Sequence, residues 1–80
     1  MRAYVIIETQ VGKGKMALAG VRALRWPDVK ILSAEAVTGP YDIIAHMEFQ
    51  DVDRLATVVA EGIQRVDGIQ RTAICLVISF

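Results

Sequence analysis

His46 is the residue of this chain best suited to acid–base chemistry, and it is the only histidine. Glu48 lies two residues after it and Asp42 four residues before it, so in a strand all three side chains would lie on one face. A carboxylate that orients an imidazole is the arrangement of a general base. A strand histidine beside acidic residues is, however, more typical of a structural or interfacial hydrogen bond, and we favour that interpretation.

Two other polar groupings give weaker indications of a site. The sequence GKGK at residues 12–15 has the residue types of a phosphate-binding loop, but it lacks the spacing and the final Lys-Ser/Thr of a Walker motif. It predicts a mobile loop before a helix. One histidine and one cysteine leave only carboxylates to complete a metal coordination shell, so we predict neither a metal nor a cofactor.

The polar segment TGPYD at residues 38–42 separates two apolar segments and has features of both a turn and a binding site. Gly-Pro by itself makes an ordinary turn. Gly39 also allows a ligand to approach the main chain, and Asp42 can accept hydrogen bonds from an ammonium group such as that of an amino acid. The hydroxyl groups of Thr38 and Thr72 would contribute if the second and fourth strands present the same end. We therefore expect this corner to contact a ligand.

Composition limits the classes of protein to which the chain can belong. Its 80 residues make one small domain with zero net charge, so no nucleic-acid-binding surface is indicated. The longest apolar segment, Ala73 to Ile78, is far shorter than the roughly 18 residues of a membrane span. Because Cys75 has no partner in the chain and residues 1–8 lack the apolar region of a signal peptide, we expect a reducing, cytoplasmic location.

The apolar periodicity predicts six secondary-structure elements. Strands are expected at residues 2–9, 29–38, 41–49 and 69–79, with one helix at 15–26 and a second between the N-cap Asp51 and the break at Asp67-Gly68. The order strand, helix, strand, strand, helix, strand predicts a ferredoxin-like βαββαβ fold of the α+β class. In this fold an antiparallel four-stranded sheet carries both helices on one face.

The other face of this sheet is predicted to be apolar as well. If Ala3, Val5 and Ile7 point towards the helices, Tyr4 and Ile6 point away from them, and the last strand is apolar on both faces whichever way it is placed. Helices on one face leave the second face without cover. An identical sheet packed across a two-fold axis would provide that cover, so a dimer is the minimum expectation.

The segment from Val29 to Val77 resembles the effector-binding domain of the Lrp/AsnC family of feast/famine regulators, also called the RAM domain. The shared pattern is an apolar strand ending in VTG, then YD before a second strand, then a helix, and then GI with RT before the last strand. The resemblance extends over nearly all 80 residues. Its most specific part is VTGPYD joined to GIQRT at this distance.

This resemblance implies a single ligand-binding domain over residues 1–80, built as a dimeric α+β barrel. It also implies dimers that assemble into a ring such as an octamer or decamer, with a small-molecule effector, usually an amino acid, between neighbouring dimers. The corresponding ligand-binding residues here are Thr38, Gly39, Pro40, Tyr41, Asp42 and Thr72. Asp42 is expected to hold the amine and main-chain amides near Gly39 the carboxylate.

Full-length regulators of this family carry an N-terminal helix-turn-helix domain, whereas this sequence begins at the first strand of the effector domain. We therefore expect a stand-alone form without direct DNA binding, which senses an amino acid or joins full-length Lrp/AsnC regulators. The alternative is a small dimeric α+β barrel monooxygenase or isomerase, in which His46 and Tyr4 would be the residues to suspect. ACT domains share the topology and ligand class but match VTGPYD less well. Of these, we expect a binding module and not an enzyme.

Overall fold

The computed structural model describes residues 1–80 and contains the six predicted elements, together with one short 3₁₀ turn. Their bounds are β1 Arg2–Thr9, α1 Gly14–Ala23, β2 Lys30–Ala36, β3 Ile43–Glu48, α2 Val52–Glu61, the 3₁₀ turn Ile63–Arg65, and β4 Ile69–Leu76. The sheet order is β2-β3-β1-β4, and every neighbouring pair is antiparallel. The predicted ferredoxin-like fold is therefore confirmed.

The two central strands, β1 and β3, place their alternate side chains under the helices. Ala3, Val5 and Ile7 are completely buried, as are Ile43 and Ala45 on the strand beside them. From the helices, the buried side chains facing this layer are Ala17, Val21, Leu55, Val58 and Val59. All belong to one cluster of 16 buried apolar residues, so the domain has a single core.

Helix α2 begins where the sequence predicted. The Asp51 carboxylate accepts a hydrogen bond from the Asp53 main-chain N–H at 2.9 Å, and Asp53 places a second acidic group in the first turn. Both features stabilise the N-terminal end of a helix. The helix ends at Gly62, earlier than the predicted break at Asp67-Gly68.

Helix α1 ends three residues before the predicted Trp26. Leu24 is already extended, and Trp26 packs against the core near Gly62. A residue that precedes proline is disfavoured in the helical conformation, so the helix could not include Trp26, but this effect does not reach Leu24, where the chain is already extended. The Arg22 guanidinium donates two hydrogen bonds to the Ala34 carbonyl, at 2.9 and 2.7 Å, and so links α1 to β2.

The face of the sheet opposite the helices is uncovered, and we call it the open face. Directly paired residues on antiparallel strands point to the same side, so the register assigns six central positions to it. They are Tyr4, Ile6, Ile44, His46, Ala73 and Cys75. The edge strand β4 also has exposed apolar side chains on its other side, Ile74 and Leu76. Neither helix is long and apolar enough to cross a membrane.

Candidate ligand-binding site

The corner formed by residues 38–42 joins β2 to β3, and main-chain hydrogen bonds hold it at both ends. Val37 N donates to the Asp42 carbonyl at 2.9 Å, and Asp42 N donates to the Ile7 carbonyl at 3.0 Å. Between these bonds, Gly39 has φ +130°, and no heavy atom lies within 4 Å of the position a Cβ would take. The corner therefore presents open main chain around a residue whose conformation favours glycine.

The Asp42 side chain has a bond within the protein. Its Oδ2 accepts a hydrogen bond from Thr9 N at 2.8 Å, at the point where the register between β1 and β4 shifts. That bond leaves Oδ1 without a protein donor. Asp42 can therefore stabilise the end of β1 with one oxygen and still offer the other to a ligand.

Two cavities lie beside the corner. One, of about 200 Å³, is lined by Ile6, Glu8, Tyr41, Arg71, Thr72 and Ala73. The other has a volume of about 520 Å³. It is lined by Asp42, by Ala36 and Val37 at the end of β2, and by residues of the β1–α1 loop and the start of α1. We call these the tyrosine cavity and the aspartate cavity.

The predicted site residues are divided between the two cavities. Tyr41 and Thr72 both line the tyrosine cavity, so Thr72 lies at the same end of the sheet as the corner. Asp42 lines the aspartate cavity instead. Thr38, Gly39 and Pro40 are exposed and line neither. In one subunit, therefore, the corner presents two separate walls.

The Thr72 hydroxyl has a specific partner inside the chain. It donates a hydrogen bond to Gln64 Oε1 at 2.8 Å, and the Gln64 side-chain nitrogen in turn donates to the Gln70 carbonyl at 3.2 Å. Thr72 is half-buried. Because Thr72 pairs with the buried Ile7, its hydroxyl points to the helix side of the sheet, where the bond to Gln64 holds it.

The loop containing GKGK closes the aspartate cavity on the side of α1. Gly12, Gly14 and Lys15 line this cavity together with Asp42. The first turn of α1 has no side-chain cap and no acidic residue, so its N–H groups retain their partial positive charge. The sequence alone did not show that this loop would face the corner.

Glu8 and Arg71, which the sequence interpretation did not select, form an ion pair beside Tyr41. They are direct partners across β1 and β4, and Arg71 Nε lies 2.5 Å from Glu8 Oε2. The Glu8 carboxylate raises the pKa of the Arg71 guanidinium above its usual range through this hydrogen bond. The only signal in the sequence was their occurrence near the ends of two strands, in ET and RT. The strand register was needed to pair them.

His46 does not form the acid–base arrangement that its neighbours in sequence suggest. Its ring stacks on Tyr4 with a centroid separation of 4.5 Å and an interplanar angle of 10°. Nε2 is buried without a hydrogen-bond partner, so no carboxylate orients the imidazole through that atom. Asp42 lies before the start of β3 and binds Thr9 N. The stacked pair instead lies at the centre of the open face.

The largest cavity, about 690 Å³, is at the opposite end of the sheet. An ion pair between Asp28 and Arg54 forms part of its wall, with Nε–Oδ2 and Nη2–Oδ1 distances of 2.7 and 3.3 Å. Arg54 lowers the pKa of the Asp28 carboxyl group below its usual 3.8 through these bonds. No three His, Cys, Asp or Glu side chains in the chain converge in a way that could hold a metal ion.

A comparison with protein-family models matches residues 2–80 to the Lrp/AsnC ligand binding domain. The chain belongs to this family. The match extends over both walls of the corner and all four strands, so the resemblance carried by VTGPYD and GIQRT is confirmed. No curated protein matches the chain.

Solved structures give the same family assignment. A protein of Thermus thermophilus is 29% identical, with a TM-score of 0.83 over 99% of this chain and 94% of its own. Escherichia coli AsnC is 25% identical, with a TM-score of 0.84 over 99% of this chain. A Neisseria meningitidis transcriptional regulator in complex with L-methionine is 25% identical, with a TM-score of 0.78 over 98% of this chain. The alignments span 51% of AsnC and 49% of the Neisseria regulator, about half of each.

Proposed function

We propose that this Lrp/AsnC domain is a binding module for a small-molecule effector, an amino acid, and that it has no catalytic role. The observation that supports the proposal is the geometry of the corner, which combines open main chain at Gly39 with an Asp42 carboxylate that keeps one oxygen free. Asp42 Oδ1 would accept from the ammonium group, and main-chain amides near Gly39 would bind the carboxylate. The L-methionine complex of the Neisseria relative supports this ligand class.

The division of the corner into two walls supports a site shared between subunits. The Asp42 wall of one subunit and the Tyr41–Thr72 wall of a neighbour would together form a cleft containing all six proposed residues. They are Thr38, Gly39, Pro40, Tyr41, Asp42 and Thr72. We propose dimers joined through the open face, which assemble into a ring such as an octamer or decamer. Association is a usual source of stability for a domain of this size.

The zero net charge of the 80 residues supports a role without direct DNA contact. We propose that the domain acts in the cytoplasm, where it senses an amino acid or joins full-length Lrp/AsnC regulators in mixed assemblies. The stacking of His46 on Tyr4 and the absence of a hydrogen-bond partner at its buried Nε2 support a structural role for this histidine over a role as a general base.

A thermal-melting screen of the twenty amino acids tests this function. A ligand at 100 times its Kd should stabilise the native state by about 2.7 kcal/mol, which raises Tm measurably. Asp42→Asn should abolish the shift, because the amide keeps an acceptor for Thr9 N but removes the charge that binds the amine. His46→Ala should retain the shift.

Asp53→Asn is the matched control, since it removes one exposed carboxylate from the first turn of α2, beside the cavity at the opposite end of the sheet. It should leave the ligand-induced shift unchanged. The proposal is contradicted if no amino acid raises Tm. A shift that is lost in His46→Ala and kept in Asp42→Asn would favour the monooxygenase or isomerase alternative.

A further inference from the structure

Arg71 is held in position and yet keeps its terminal nitrogens free. Its Nε donates to Glu8 Oε2, and neither Nη1 nor Nη2 takes part in a hydrogen bond with the protein. The Arg71 side chain is 75% exposed, while that of Glu8 is 30% exposed. The terminal edge of a guanidinium can bind a carboxylate with two parallel hydrogen bonds.

The other arginines with side-chain hydrogen bonds use their terminal nitrogens within the chain. Arg54 donates Nε and Nη2 to both oxygens of Asp28, and Arg22 donates Nε and Nη2 to a carbonyl. Arg25 donates Nη1 to two carbonyls of its own segment. Arg71 is thus the arginine that is oriented by a hydrogen bond through Nε and still has both terminal nitrogens free to bind a ligand.

The surroundings of Arg71 suit a small carboxylic acid. The guanidinium belongs to the tyrosine cavity, whose volume of about 200 Å³ is bounded by the Tyr41 ring, the apolar side chains of Ile6 and Ala73, and Thr72. Ile6 and Ala73 belong to the open face, so the cavity lies at the rim of the proposed dimer interface, on the side of the corner. A ligand there would place its carboxylate against Arg71 and its carbon atoms against Tyr41 and these apolar side chains.

We propose that Arg71 binds the carboxylate of the effector together with the main-chain amides near Gly39 and determines that the ligand must be a free acid, with Glu8 as the positioning residue for its guanidinium. This inference rests on the proposed function, because it assigns the charged partner for one end of the same ligand. Asp42 from the facing wall takes the ammonium group. Arg71 and Asp42 then select α-amino acids over amines, which lack the carboxylate, and over amides, in which the carboxylate has lost its charge.

Variants of both ion pairs test the role of Arg71. Arg71→Gln should weaken binding of the amino acid by about tenfold or more, the usual effect of losing a hydrogen bond to a charged group. Arg54→Gln is the matched control, since it breaks the other Arg–carboxylate ion pair and changes the net charge equally. It should change the affinity by less than about twofold, the level of a distant surface substitution. Calorimetry would use the amino acid that gives the largest melting shift.

A second ligand separates binding from folding effects. The α-carboxamide of the same amino acid should bind the wild-type domain much more weakly than the free acid does, and Arg71→Gln should remove that preference. Glu8→Ala should reduce the preference without abolishing it, because the guanidinium remains but is no longer oriented. Arg71→Lys should keep part of it, since the charge remains and the planar edge does not.

The possible results distinguish this inference from the function on which it rests. If no amino acid binds the wild-type domain, both fail. If the wild type binds an amino acid and Arg71→Gln binds the acid as tightly, the assignment of Arg71 is overturned while the binding function stands. Equal losses in Arg71→Gln and Arg54→Gln would show a general charge effect, and this result would also overturn the assignment.

Discussion

At the residue scale, Asp42 illustrates how one side chain can serve the fold and a ligand together. Its Oδ2 accepts a hydrogen bond from the main-chain N of Thr9, the last residue of β1, where the strand pairing shifts. Leaving a main-chain N–H without an acceptor is unfavourable, so Asp42→Ala would reduce stability whether or not a ligand binds. For this reason Asp42→Asn, which keeps an acceptor, is the informative variant in a binding experiment.

The Asp28–Arg54 pair gives a prediction for the pH dependence of stability. Arg54 lowers the folded-state pKa of Asp28 below its usual 3.8, so the pair stabilises the fold above that pH. The contribution is lost as the pH falls through the lower, folded-state pKa. Asp28→Asn should therefore be less stable than wild type at neutral pH, by a small amount because both groups are exposed.

Urea midpoints of wild type and Asp28→Asn at neutral pH and at about pH 2 would check this difference in stability. Ionised carboxylates lose their contribution to stability over that pH interval. The difference between the two proteins should shrink in acid. Comparing the variant with wild type removes the effect of the other carboxylates, which titrate in both proteins. A difference that stays constant with pH would show that the pair contributes no charge-dependent stability.

At the element scale, replacing glycine by alanine should change stability differently at the end of α2 and at the start of α1. A Cβ at Gly62, where α2 ends, would lie 2.7 Å from the Val58 carbonyl oxygen and 2.6 Å from the Trp26 ring. Gly62→Ala should therefore lower the free energy of unfolding by about 1 to 3 kcal/mol, because the backbone oxygen cannot move away easily.

Gly14, the first residue of α1, provides the control for this substitution. A Cβ there would make only an ordinary contact of 3.5 Å with Thr9 Oγ1. Gly14→Ala should leave stability unchanged or raise it by up to about 1 kcal/mol, because alanine favours the helix. Chemical denaturation at one fixed protein concentration would compare the two variants. Equal effects from both would show that the contacts of Gly62 do not limit stability.

At the scale of the whole molecule, the open face determines how the subunit is expected to associate. Its centre contains the stacked Tyr4 and His46 rings beside Ile6 and Ile44, while the ion pair of Glu8 and Arg71 lies towards the corner. Apolar side chains at the centre with charged groups at the edge are characteristic of protein interfaces. A second copy would remove the central side chains from water.

Ile44→Glu should separate the proposed dimers, because a second copy would then have to bury an unpaired carboxylate. Sedimentation velocity should show wild type at a multiple of the 8.8 kDa chain mass and the variant at a smaller mass. Val52→Glu adds the same charge at an exposed position of α2, on the helix side of the sheet, and should sediment like wild type. A wild-type domain that sediments as one 8.8 kDa particle would contradict the assembly.

The sequence was sufficient to predict the fold because its signals are local. Alternation in residues 2–9 determined which side chains enter the core, and Asp51 marked the start of α2. The end of α1 was less predictable, since Leu24 becomes extended where the chain packs Trp26 against the core. That position depends on tertiary contacts that a helical pattern does not contain.

For the candidate site, the sequence determined the family, the corner at residues 38–42 and the presence of Thr72 at the same end of the sheet. Only the tertiary structure separated Tyr41 from Asp42 into different cavities and brought Glu8 to Arg71. The physical reason is the strand register. Residue spacing along the chain determines which face of the sheet a side chain occupies. The pairing of β1 with β4 determines that Glu8 and Arg71, which are 63 positions apart in the sequence, come into contact.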